Sequence, residues 1–246
     1  MSRIGKPERE TQSRLIQLFR DELGYGFLGD SSDRASNSNI EENLLTDWLT
    51  KRGHSSEQIS RAIYLLRLEA DNPNRSLYDN NKAVYSYLRY GVPVKVEAGK
   101  VTETVKVVDW QNPEANDFAV AEEVTLRGGF ERRPDLVLYV NGIALAVIEL
   151  KNSYVSIGNG IRQLLSNQQK EFNEGFFATV QIVFAGNASE GLRYGTLKTE
   201  ETSFLRGQDD EEDDHSFTPS KYLLPIRPTG RPLQRAPPLL PSAAGR

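Results

Sequence analysis

Arg133-Pro134-Asp135, then thirteen residues, then Glu149-Leu150-Lys151, make up the stretch RRPDLVLYVNGIALAVIELKNS. Two acids and a lysine around a predicted hairpin are the parts from which a metal-dependent phosphodiesterase site can be built. Asp135 and Glu149 would hold a divalent cation, helped by the backbone carbonyl of Leu150. A cation so held polarises a phosphate oxygen and lowers the pKa of an attacking water. Lys151 would hold or activate that water and offset negative charge building on the transition state. Gln163, twelve residues past Lys151 on the next predicted helix, could orient the water or a phosphate. The plainer reading of the same residues is that Asp135 caps a strand while Glu149 and Lys151 pair across an exposed edge, since the spacing alone is loose.

Strand geometry sharpens the choice. Glu149 and Lys151 are two apart, so they project from one face while Leu150 points to the other. Their neighbours are nearly all apolar, and charges buried in such a run cost several kcal/mol each unless paired or bound to an ion. Asn141-Gly142 is a strong hairpin-turn signal. With a plain two-residue turn, Asp135 falls opposite Ile148 and points away from Glu149. A three-residue connection or one bulge moves the register by one and brings Asp135 to the Glu149 side. The site reading therefore demands an odd connection or a bulge.

The rest of the composition narrows the chemistry. The chain has 246 residues, no cysteine and two histidines far apart, which rules out thiolate sites, argues against a His-rich zinc site and leaves any metal to oxygen ligands. That points to Mg²⁺, Mn²⁺ or Ca²⁺. A net charge of −4 argues against nucleic-acid binding by bulk electrostatics, so DNA contact must be local or shared with a partner. Arg127, Arg132 and Arg133 lie near the Asp135 strand and could touch backbone phosphates, though surface arginines commonly do nothing specific. No GxxxxGK[ST] loop is present, so no nucleotide site is visible. His54 reads as a solvated loop residue. No apolar run approaches the roughly 20 residues of a membrane span, and the polar opening MSRIGKPERETQ lacks a secretory core, which makes the cytoplasm the expected compartment.

The elements that must position these residues follow from periodicity. Pro7 to Leu23 predicts an amphipathic helix with Leu15, Ile16, Phe19 and Leu23 inward. Glu8 lies at its start, either as a carboxylate favoured by the helix dipole or as a further site acid. The segment GYGFLGDSSDRASNS reads as a loop. Asn39-x-x-Glu42 and Ser55-x-x-Gln58 look like capping boxes for helices over about 40–51 and 56–71, and a third helix spans about 79–90. Period-two patterns then predict strands over 92–96, 105–107, 118–126, 136–140 and 143–150. A helix over 157–172, a strand over 179–185 and a shorter one near 192–197 follow. This is an α/β (α+β) domain with a mixed sheet: a helical front part over about 7–91 and a β-rich core over about 92–206. From 207 to 246 an acidic run, Asp209 to Asp214, and seven of the chain's twelve prolines predict a flexible tail.

Glu131 to Lys151 resembles the nuclease motif of the R (restriction) subunit of type I restriction-modification enzymes, within the PD-(D/E)XK nuclease superfamily. The resemblance extends to ERETQSRLIQLFRDELGYGFLGD, IRQLLSNQQ, FFATVQIVFAGN and EGLRYGT, and so covers about Pro7 to Arg206. It implies a restriction-endonuclease-like core with Asp135, Glu149, Lys151 and the helix glutamine Gln163 as catalytic residues, and Glu8 as a supporting acid. It also implies Mg²⁺- or Mn²⁺-dependent cleavage of double-stranded DNA, with methyltransferase and specificity subunits as partners. Where some members have a tyrosine four residues after that glutamine, this chain has Asn167. Family members continue into an ATP-driven motor, whereas this sequence turns into its acidic, Pro-rich tail. The sequence therefore reads as a fragment, or as a gene interrupted after about Leu205. The alternative function is a catalytically silent module that docks to DNA or partner subunits.

Overall fold

The computed structural model describes residues 6–207, apart from 35, 97, 98 and 100. Beyond Gly207 the expected tail lies outside the described residues. Helix α1 (Lys6–Gln17) continues into a π-helical turn (Leu18–Glu22), and strand β1 is Gly26–Asp30. Helices α2 (Glu42–Lys51), α3 (Ser56–Ala70) and α4 (Leu77–Tyr90) follow, then a small antiparallel pair, β2 (Val92–Val94) with β3 (Glu103–Val105). The main elements after these are β4 (Phe118–Glu122), β5 (Leu136–Val140), β6 (Ile143–Lys151), α5 (Ile157–Asn167), β7 (Ile182–Asn187), β8 (Gly191–Gly195) and β9 (Leu205–Arg206).

Seven strands form one mixed sheet in the order β1-β4-β5-β6-β7-β8-β9. β1 runs parallel to β4 and β6 parallel to β7, while the other neighbours are antiparallel. Alternation sorts the side chains into two layers. Val120, Leu136, Leu138, Ile148 and Leu150 pack with Leu15 and Ile16 of α1 and Phe19 of the π-helical turn. Val137, Tyr139, Val147, Val183 and Ala185 face a second cluster that also holds Leu45, Leu66, Val84, Ile161 and Leu164. The front helices and the strands thus share one core. Val147 belongs to this second face, so Glu149 and Lys151 continue it, and Asp135 lies two before Val137 on the same side.

Several expected boundaries shift for local reasons. The Ser55 capping box forms, with Ser55 accepting from the Gln58 amide and Gln58 from the Ser55 amide. The Asn39 box does not. Asn39 instead donates to the Gly175 carbonyl, Ile40 bridges to Ile143, and Glu41 opens α2. GFLGD, read as loop, is an edge strand held by parallel pairing to β4. β4 stops at Glu122 because Glu123 takes φ +52°, and Leu126 bridges back to Arg132. α5 ends at Asn167, and a 3₁₀ turn, Glu174–Ala178, precedes β7.

Candidate active site

The β5–β6 hairpin decides whether the acids meet. Asn141 (φ +52°) and Gly142 (φ +83°) form a two-residue turn of the kind in which both central residues are left-handed. A Cβ on Gly142 would lie 2.7 Å from the Glu41 carbonyl oxygen, so only glycine fits. From the turn the ladder pairs Val140 with Ile143 and Tyr139 with Ala144, then jumps to Leu138 with Ala146. Leu145 is the extra residue, and its carbonyl accepts from the Gln181 amide instead. Below the bulge Leu136 faces Ile148, which sets Asp135 opposite Glu149. The required register change is present as a bulge.

Asp135 Oδ2 accepts from the Leu150 N–H at 2.5 Å, and Lys151 Nζ bonds Glu149 Oε1 at 2.7 Å. The Leu150 carbonyl leaves the strand on the same side as its N–H, towards Asp135. Glu149 is 2% exposed, and its second oxygen, Oε2, has no hydrogen-bond partner. The exposed-edge reading of this pair is therefore incorrect. Burial pushes the Asp135 carboxyl up to about 7 against the opposing Leu150 N–H bond and Lys151 charge. Burial, followed by the charge of Asp135, pushes Glu149 up to about 8. Burial acts to lower Lys151, but Glu149 and Asp135 outweigh it and raise its pKa, so the lysine stays charged.

Glu8, in the first turn of α1, is close enough for its charge to raise all three of these groups. Among the described residues no group of three or more His, Cys, Asp or Glu converges as metal ligands. The donor set is two carboxylates and a backbone carbonyl, with one buried carboxylate oxygen unpartnered. Such hard oxygen donors fit Mg²⁺ or Mn²⁺, which commonly take one or two protein carboxylates and complete their shells with water and substrate phosphate.

Helix α5 closes the other side. Gly160 sits where a Cβ would be 3.4 Å from Lys151 Cγ and 3.8 Å from Glu149 Cγ. Gln163, one turn on, shares that face and is half-buried. Sequence reasoning missed Gly160, although a glycine inside a helix, costing about 1 kcal/mol relative to alanine, is itself a packing signal. Asn167, two turns from Gly160, is fully buried with neither amide atom bonded. Arg133 is tied to Glu123 at 2.9 Å and Arg127 to Glu131 at 3.5 Å, while Arg132 lies over the Phe172 ring at 4.0 Å. None of the three arginines is within ion-pair distance of Asp135.

A mixed sheet covered by helices on both faces, with two acids and a lysine at the open end of its central hairpin, is consistent with a restriction-endonuclease-like core. Residues 6–202 match the family described as type I restriction enzyme R protein N terminus, and the chain belongs to that family. It is 32% identical over 114 residues to the MjaIXP type I restriction enzyme endonuclease subunit of Methanocaldococcus jannaschii, a match covering 44% of this chain and 10% of the relative. The MjaVIIIP subunit of the same organism is 30% identical over 106 residues (39% and 10%). The HindI type I restriction enzyme endonuclease subunit of Haemophilus influenzae is 36% identical over 76 residues (29% and 7%). The matched part of the chain thus spans a tenth or less of these relatives. No described helix is long and apolar enough to cross a membrane.

Proposed function

We propose that this chain, over about residues 1–206, is the nuclease region of a type I restriction R subunit, hydrolysing phosphodiesters of double-stranded DNA in the cytoplasm with Mg²⁺ or Mn²⁺. The observation that carries the reading is the buried, unpartnered Oε2 of Glu149, a residue that the bulged ladder sets opposite Asp135. A buried carboxylate oxygen without a donor is costly unless an ion completes it.

Asp135, Glu149 and the Leu150 carbonyl would hold the ion, which supplies Lewis-acid polarisation of the phosphate and a water of lowered pKa. The Leu150 N–H fixes the Asp135 carboxylate so that its other oxygen is left for the ion. Lys151, kept charged by its carboxylate neighbours, holds the attacking water and offsets charge on the phosphorane-like transition state. Gln163 orients that water or a phosphate oxygen from α5. ATP-driven translocation and the methyltransferase and specificity subunits belong to the whole enzyme.

The test uses the purified chain and Lys151→Ala with plasmid and Mg²⁺ or Mn²⁺. Cleavage that falls about a hundredfold or more in the variant supports the nuclease. Equal inactivity of both supports a silent docking module.

A further inference from the structure

A groove of about 830 Å³ opens beside the loop that delivers Asp135, between α3 and the segment after α5. Its walls alternate flat and cationic side chains: Tyr64 and Arg67 on α3, Arg127 on the Asp135 loop, Lys170 and Phe172 after α5. Tyr64 is 54% exposed with the Arg61 guanidinium 5.1 Å from its ring centre. Phe130, 69% exposed, stands 5.9 Å from Phe172, whose ring is also covered by Arg132. Large aromatic surfaces left in water need a reason, and here they are interleaved with cations.

We propose that this groove binds an unpaired DNA strand leading to or from the Asp135 centre. Two features of the groove select that occupant. Bases in a duplex are already stacked and offer no face to a side chain, whereas an unpaired strand stacks on exposed aromatics and lays its phosphates on adjacent cations. The groove is of the size that encloses a ligand of a nucleotide or two, within the roughly 300–1,000 Å³ of ordinary ligand clefts.

The charges agree. Arg67 pairs with Glu42 and Arg127 with Glu131, but these pairs are half-exposed and exchange a carboxylate for a phosphate at little cost. Lys170 makes no ion pair among the described residues, and Asp71 and Glu174 complete the wall against three cations. Arg132, over the ring of the groove residue Phe172, is three residues from Asp135, a chain reach of at most about 10 Å, which brings that flank of the groove near the proposed nuclease centre.

The role in cleavage rests on the nuclease reading; the binding does not. The test is fluorescence anisotropy of the full chain in EDTA with a labelled oligothymidylate and, separately, a blunt hairpin duplex. Tyr64→Ala is expected to weaken oligothymidylate binding about tenfold, one stacked base, while leaving the duplex unchanged. Tyr64→Phe keeps the native affinity, and Arg127→Ala with Lys170→Ala lowers the salt dependence. A chain that never cleaves yet shows Tyr64-dependent binding supports the groove and sinks only the nuclease reading. No oligothymidylate binding by the native chain, or native affinity kept in both Tyr64→Ala and the Arg127/Lys170 double variant, overturns the proposal.

Discussion

The two ends of the β5–β6 hairpin are both buried and both polar, and they are built on opposite principles. At the turn, Asn141 is fully buried, yet every group is used: Nδ2 donates to the Val107 carbonyl and Asn116 Oδ1, and Oδ1 accepts from the Asp117 N–H at 2.7 Å. At the other end Glu149 is as deeply buried, but Oε2 is left bare and two carboxyls crowd one another. Satisfied buried polarity fixes architecture, whereas unsatisfied buried polarity is destabilising by itself and makes sense as half of a binding site.

The comparison breaks most visibly at the open end. Glu149→Gln should cut metal-dependent cleavage about a hundredfold or more while leaving the circular dichroism of the fold intact. Asn141→Ala should do the reverse. Losing its buried bonds and placing alanine at φ +52° should cost about 2–4 kcal/mol in denaturant unfolding, with cleavage per folded molecule nearly unchanged. If Asn141→Ala abolished cleavage in folded protein, the two ends would not be separable.

pH sharpens the contrast. The Asp135 and Glu149 carboxyls lie at about 7 and 8 in the fold against about 4 unfolded. Raised values mean stability that is complete below the unfolded pKa and lost as pH rises through the folded one. In chelator, Tm should therefore fall between about pH 4 and 8, and Mg²⁺ should restore it. Asp135→Asn, which keeps an acceptor for the Leu150 N–H, should flatten that fall. A metal-free Tm that rises over the same interval would contradict the assignment of two strained carboxyls. The smallest effect is expected at Gly160→Ala. Its Cβ would meet Lys151 Cγ and Ala185 Cβ at 3.4 Å, an ordinary contact, so stability gains up to about 1 kcal/mol and cleavage falls by a few-fold at most.

Much of this was legible before the structure because it rests on local rules. The 2-residue alternation through Val147, Glu149 and Lys151, the Asn141-Gly142 turn and the Ser55 capping box each follow from nearest-neighbour geometry. Parity even stated that a bulge or an odd connection was needed. It could not place the bulge at Leu145, because that depends on Gln181, far along the chain, capturing the freed carbonyl. Gly26–Asp30 was invisible for the same reason: a short glycine-bearing edge becomes a strand only when β4 pairs with it. The placement of Gly160 of α5 over Lys151 and Glu149 was not legible either, because it depends on a helix–sheet packing that no local rule states.

The central claim, that the bulged end of the hairpin holds a divalent ion between Asp135 and Glu149, is tested most directly by titrating Mn²⁺ into the chain and following the free-ion EPR signal. The account predicts a saturable site at about pH 8 that disappears in Glu149→Gln and in Asp135→Asn, and persists in Asn141→Ala that has been confirmed as folded. Equal Mn²⁺ uptake by the native chain and Glu149→Gln would contradict it.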